Sequence, residues 1–207
     1  MNINEAISKL KIIPVIEIED SGNTSDLGKA LINGGLPVAE ITFRTECAAE
    51  SISILTREFP DMLTGAGTVV TIDQAESALK AGARFIVSPG FSRSVVEFCI
   101  KNNVPVFPGV VTPTELTQAV EAGIETVKFF PAESFGGINY LKAVSGPFNK
   151  LKFIPTGGIN QNNIKEYLSF AKVTACGGSW IASKKLISER KFDEIEALTK
   201  AAVNLVR

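Results

Sequence analysis

The sequence predicts an α/β fold of the (β/α)8 barrel type, and three observations carry that prediction. Short apolar runs rich in Val, Ile and Phe recur at intervals of roughly 20–26 residues along the 207-residue chain. Helix-length segments with apolar residues three and four apart lie between them. No linker or low-complexity stretch interrupts the alternation. About eight strand–helix units in so short a chain is the spacing of a compact barrel. A doubly wound open sheet is the alternative, but its dinucleotide fingerprint is missing: GAGTVV (65–70) has Val70 where the last glycine belongs.

Taken in order, a polar helix-like segment, NINEAISKL, precedes the first strand. The strand runs are IIPVIEI (12–18), PVAEITF (37–43), MLTGAGT (62–68), RFIVSP (84–89), VPVFPGV (104–110), TVKFFP (126–131), LKFIPT (151–156) and VTACGGS (173–179). Each is bounded by Gly, Pro, Ser or Thr and reads as a buried parallel strand. Thr112-Pro113-Thr114-Glu115 is a capping box with proline at the first helical position, and Thr71-Ile72-Asp73-Gln74 is a second. TPTELTQAVEAG predicts a helix burying Leu116, Ala119 and Val120, and AGA (81–83), AGI (122–124) and NGG (33–35) supply glycine stops. The expectation is one domain over residues 1–207, with a short helix before the first strand.

Composition narrows the function. A chain that is 45% hydrophobic can build one large core. With 21 Lys+Arg against 22 Asp+Glu, no basic face for nucleic acid is implied. No window holds the roughly 18 consecutive apolar residues of a membrane span, so a cytoplasmic protein without membrane partners is expected. Cys47, Cys99 and Cys176 form no CxxC pair and read as reduced and structural. There is no histidine. The usual general base, the usual zinc ligand and every Ser-His-Asp or Cys-His arrangement are therefore excluded. Proton transfer falls to carboxylates, lysine, tyrosine or cysteine, and neither a metal nor another cofactor is expected.

In a barrel the functional groups gather at the carboxyl ends of the strands, and side chains alternate between the pore and the helix layer. In PVAEITFR, Ala39, Ile41 and Phe43 suit the helix layer, whereas Val38, Glu40, Thr42 and Arg44 face the pore. Thr126, Lys128 and Phe130 share one face of the sixth run, and Lys128 is the one lysine inside a late strand. Lys152 opens its strand and belongs to the opposite rim. The third run ends in Gly65-Ala66-Gly67-Thr68, the seventh in Pro155-Thr156-Gly157-Gly158-Ile159 before a capping Asn160, and the eighth in Cys176-Gly177-Gly178-Ser179-Trp180. Glycine-rich turns after the last two strands offer backbone N–H groups to an anion. Each feature has an ordinary reading: a snorkelling Lys128, a structural Glu40–Arg44 ion pair, plain turn glycines. Their convergence on one rim describes a pocket for an anionic carbonyl compound with a phosphate at its far end.

EITFRT (40–45), GAGT (65–68), SPG (88–90), PGVVTPTE (108–115), VKFFPAE (127–133), GPF (146–148), PTGGI (155–159) and GGSW (177–180) stand in the order of one family. The chain thereby resembles the 2-keto-3-deoxy-6-phosphogluconate (KDPG) / 4-hydroxy-2-oxoglutarate (KHG) aldolases from about Pro14 to Trp180. The resemblance implies a metal-independent class I aldolase on a (β/α)8 barrel, commonly a homotrimer. Its substrate would be a small phosphorylated keto acid, cleaved to pyruvate and glyceraldehyde 3-phosphate, or 4-hydroxy-2-oxoglutarate. The resemblance puts the Schiff-base lysine at Lys128, the acid/base at Glu40, and carboxylate contacts at Arg44 and Thr68. It puts phosphate contacts at Thr156, Gly157, Gly158, Gly178 and Ser179, with Pro89 and Phe130 also substrate-binding. An aldolase for the galactonate-derived isomer and a non-catalytic sugar-phosphate-binding barrel are the competing readings. Glu17 departs from the family pattern, in which an apolar residue or an arginine is usual. It either leans into solvent or adds a negative charge that a cation such as Arg44 must answer.

The chemistry accounts for the residue types. An amine that condenses with a ketone gives an iminium, a far better electron sink than the carbonyl. An unperturbed lysine is neutral in only about one molecule in a few thousand near pH 7, a deficit of roughly 4.6 kcal/mol. Apolar surroundings such as Phe130 and a neighbouring cation such as Arg44 are expected to disfavour the ammonium.

Overall fold

The computed structural model describes residues 2–207; Met1 lies outside them. All eight apolar runs contribute strands: β1 (Ile12–Ile16), β2 (Val38–Thr42), β3 (Leu63–Gly67), β4 (Ile86–Val87), β5 (Val106–Phe107) and β6 (Gly109–Val110), β7 (Thr126–Phe129), β8 (Lys152–Pro155) and β9 (Cys176–Gly178). The fifth run supplies two strands because Pro108 has no N–H to give to a ladder. It therefore serves both sheets. β5 closes a six-stranded sheet ordered β5-β4-β3-β2-β1-β9, and β6 opens a three-stranded one ordered β6-β7-β8. Every pairing is parallel. β8 approaches the eighth run through the isolated parallel bridges Phe153↔Val173 and Thr156↔Gly177. The result is a curled parallel α/β arrangement.

Every residue of β2 and β3 is buried, as expected when both faces of a parallel sheet are covered. Helices do the covering: α1 (Ile3–Leu10), α2 (Thr24–Asn33), α3 (Ala48–Glu58), α4 (Ile72–Lys80), α5 (Arg93–Lys101), α6 (Pro113–Glu121), α7 (Gly137–Val144), the one-turn α8 (Ile164–Leu168) and α9 (Lys184–Ser188), and α10 (Phe192–Val206). α6 begins with the predicted capping box at Thr112 and Glu115. At α4 the box is displaced: Thr71 accepts from Gln74 N–H, but the Gln74 side chain reaches back to Val70 N–H at 2.8 Å instead of to Thr71. α6 packs through Leu116 and Ala119, whereas Val120 is 50% exposed and lies on the outer face, against the expectation. α8 starts after Asn163, three residues later than predicted, with no side-chain cap; Asn160 instead holds the preceding turn by accepting from Asn162 N–H. Lys152 behaves as a rim residue, donating from its exposed end to Ala171 O at 3.1 Å. No helix among the described residues is long and apolar enough to cross a membrane.

Candidate active site

β2 places Glu40 and β7 places Lys128 so that Lys128 Nζ lies 3.2 Å from Glu40 Oε1, with side chains 7% and 3% exposed respectively. The two strands belong to different sheets, and the residues are 88 apart in sequence, so this contact crosses the interior. Room for it comes from β3: a β-carbon on Gly67 would fall on the Glu40 carboxylate. Glycine is required there by close approach rather than by backbone angle.

The surroundings of Nζ differ from the expectation. It lies 5.2 Å from the Phe130 ring centroid, so an aromatic face and a carboxylate both attract its positive charge, while burial opposes it. Arg44 is occupied elsewhere, 3.6 Å from Glu17 Oε2. The expected alternative of a Glu40–Arg44 pair is thus replaced by two separate pairs.

A cavity of about 280 Å³ lies at the ends of the same strands, although neither Glu40 nor Lys128 is among its lining residues. Thr42 and Arg44, the next residues on the Glu40 face, line it, as does Phe130, the next on the Lys128 face. The Thr42 hydroxyl is fixed by donating to Ile16 O at 2.9 Å. Thr156, Gly157 and Gly158 form one wall and Gly178 and Ser179 another. The structure therefore brings Arg44, Phe130, Thr156, Gly157, Gly158, Gly178 and Ser179 to one cavity, with Glu40 and Lys128 one pleat deeper. Thr68 and Pro89 are not part of its lining. Thr68 follows β3 with φ 56°, a strained left-handed conformation for a β-branched residue. Pro89 abuts the neighbouring strand, where a β-carbon on Gly109 would fall on its carbonyl.

Gly157 and Gly158 have φ of +97° and +82°, consecutive left-handed residues that glycine alone accommodates without strain. Their carbonyls are engaged from behind: Glu133 N–H donates to Gly157 O at 3.1 Å, and Asn160 and Asn163 donate to Gly158 O at 3.1 and 3.0 Å. The Glu133 side chain lies against Gly158 and accepts a hydrogen bond from the buried Tyr167 hydroxyl. Burial, and then the Glu133 carboxylate, hold that hydroxyl well above the usual tyrosine range.

Sequence reasoning missed one cation. Lys184, at the first position of α9, lines the same cavity and lies 2.9 Å from Glu17 Oε1 and 2.8 Å from Glu19 Oε1. The negative charge at Glu17 is thus answered by Lys184 as well as Arg44. The Lys184 ammonium, aided by Arg44, holds the Glu17 carboxyl below its ordinary range against the opposing effect of burial. The SKK stretch carries no periodic or motif signal that could have placed this lysine. Among the described residues, no group of three or more Cys, Asp or Glu side chains is assembled as metal ligands would be.

The KDPG and KHG aldolase family model matches residues 3–198. The 2-dehydro-3-deoxy-phosphogluconate aldolase of Treponema pallidum is 43% identical over 206 residues, covering 100% of this chain and 98% of that protein. The enzyme of the same name from Haemophilus influenzae is 43% identical over 205 residues, covering 99% and 97%. The crystal structure of KDPG aldolase from Legionella pneumophila, with pyruvate captured as a covalent carbinolamine, superposes with a TM-score of 0.92 at 41% identity. It covers 96% of this chain and 97% of that one. By sequence along nearly its whole length, and by the architecture around its buried Lys–Glu pair, this chain belongs to the KDPG and KHG aldolase family.

Proposed function

We propose that this protein is a class I aldolase that cleaves 2-dehydro-3-deoxy-6-phosphogluconate to pyruvate and D-glyceraldehyde 3-phosphate. The observation that carries the reading is the buried Lys128–Glu40 pair at 3.2 Å beneath the cavity. Transfer of one proton from Nζ to the carboxylate creates a neutral amine and a neutral acid together. Desolvation narrows the gap between that neutral pair and two buried ions. The amine attacks C2 of the keto acid, and the Glu40 acid supplies the proton that lets the carbinolamine lose water as an iminium. Glu40, again a carboxylate, takes the C4 hydroxyl proton; the C3–C4 bond breaks, releasing the aldehyde and leaving an enamine. Protonation at C3 and hydrolysis of the resulting iminium free pyruvate and regenerate Lys128.

The remaining residues serve binding. Arg44 grips the substrate carboxylate after exchanging it for Glu17, with Thr68 and Pro89 bordering the keto-acid end and Phe130 covering it. Thr156, Gly157, Gly158, Gly178 and Ser179 receive the phosphate, the two glycine turns offering their peptide N–H edges. The Pro108 break and the isolated bridges between the seventh and eighth runs support a single-domain (β/α)8 barrel closed from the two sheets. A cytoplasmic homotrimer is the assembly and location in keeping with this reading.

Incubation with pyruvate and borohydride, followed by peptide mass mapping, tests it. A reduced adduct on the peptide containing Lys128, absent from Lys128→Ala, is expected. An adduct that persists in Lys128→Ala, or none in the native protein, refutes the assignment.

A further inference from the structure

We propose that Lys184 is a specificity residue for the phosphate end of the substrate, an inference that rests on the aldolase reading above. Three observations converge on it. Lys184 lines the cavity together with Gly157, Gly158 and Ser179, so its ammonium shares the space in which those turns receive an anion. Its backbone is anchored: Ser183 caps α9, its hydroxyl accepting from Leu186 N–H at 3.3 Å. Its long side chain, otherwise free to sample many rotamers, is held at the mouth by Glu17 on one side and Glu19 on the other, at 2.9 and 2.8 Å.

An ammonium has three N–H donors. Two point to these carboxylates, which leaves one for a ligand oxygen. The same geometry defines what Glu17 does. Its carboxylate is 24% exposed and spans Arg44 and Lys184, so in the free protein it occupies the two cations that an anionic substrate would seek. A keto acid with a charge at only one end displaces Glu17 from Arg44 alone. A phosphorylated one takes Arg44 with its carboxylate and the third donor of Lys184 with its phosphate, while Glu17 and Glu19 stay on the other two Lys184 donors. Lys184 thus favours doubly anionic substrates over singly anionic ones. Lysine suits this task because its compact charge and rotatable donors can turn from carboxylate to phosphate without moving the backbone.

Steady-state kinetics of Lys184→Ala and Lys184→Arg, with the phosphorylated keto acid and with its unphosphorylated counterpart, test the proposal. Lys184→Ala is expected to raise KM for the phosphorylated substrate about five- to tenfold with kcat within about twofold, the effect of one partly exposed charge-assisted hydrogen bond. Lys184→Arg should recover most of that loss, and the unphosphorylated substrate should be indifferent to both changes. The inhibition constant of inorganic phosphate should rise in Lys184→Ala by a factor similar to that for KM. An unchanged phosphate constant, or an equal loss with both substrates, overturns the role of Lys184. Pyruvate trapping on Lys128 should be the same in all variants; its absence from the native protein would instead sink the aldolase reading.

Discussion

Lys128→Met leaves the Glu40 carboxylate 2% exposed and without its cation, and the stability cost can be worked from the geometry. Unit charges separated by 3.2 Å attract with about 5 kcal/mol at an effective dielectric near 20. Both ions lose solvation to form the pair, so its net worth is smaller, but removing one partner forfeits the attraction and keeps the other's desolvation. Lys128→Met should therefore destabilise by about 3–5 kcal/mol. Glu40→Gln keeps an oxygen for Nζ but leaves the ammonium facing a neutral amide, at a cost of about 2–3 kcal/mol. In Lys128→Met/Glu40→Gln no charge is buried, and the combined cost should fall to about 1–2 kcal/mol. The singles would thus fail to add by at least about 3 kcal/mol, well outside the scatter of independent sites. Urea unfolding of the four proteins with equal m-values measures this directly. Additivity within about 0.5 kcal/mol would mean that the two side chains do not meet across the interior, and the proton-sharing mechanism would fall with the contact.

Two further outcomes follow from groups away from the cavity. Burial raises the Glu115 pKa, but hydrogen bonds from Thr112 N–H, Val111 N–H and the Thr112 hydroxyl outweigh it and bring the net value below 4.5. A depressed carboxylate stabilises the fold above its unfolded pKa and loses that contribution as pH falls. Glu115→Gln should lower Tm by about 2–4 °C at pH 7, and the gap should narrow as pH drops below 4.5; a gap that widens there contradicts the capping role. Burial pushes the Cys99 thiol up to about 11, and pushes the Cys176 thiol further still. Half-buried Cys47 is the remaining thiol, so native protein at pH 8 should take up one equivalent of a thiol reagent and urea-unfolded protein three. Uptake of two or more in the native state would show that the thiols on α5 and β9 are not sealed.

The inward direction of Glu40 and Lys128 was legible because a period of two is set by backbone geometry and survives any tertiary context. The cap at Thr112 was legible for the same reason, being local. What escaped was set by neighbours distant in sequence. Val120 sits at helical spacing from Leu116, yet α6 has a narrow buried stripe and little lies beyond it to cover a third residue. The Gln74 side chain chose Val70 N–H over its own cap, a choice among donors within one turn that composition does not decide. Lys184 lies 167 residues from Glu17, and only closure of the strands brings them together. Arg44 was placed correctly at the rim, but its partner was not: Glu17 outcompetes Glu40 because Glu40 points a pleat deeper, at Lys128.

The lysine in the middle of an apolar strand meets a carboxylate across the interior, Glu40 at 3.2 Å. In the mechanism proposed above, a carboxylate at this distance makes the proton transfer internal. The ion pair and the neutral pair differ by one short transfer, and burial narrows the gap between them because the ion pair alone bears the desolvation cost, several kcal/mol per ion. The arrangement also ties catalysis to the architecture. Glu40 hangs from the six-stranded sheet and Lys128 from the three-stranded one, so their approach depends on how the two sheets face each other. Any substitution that shifts one sheet by an ångström, at Gly67 above all, should lose turnover before it loses the fold.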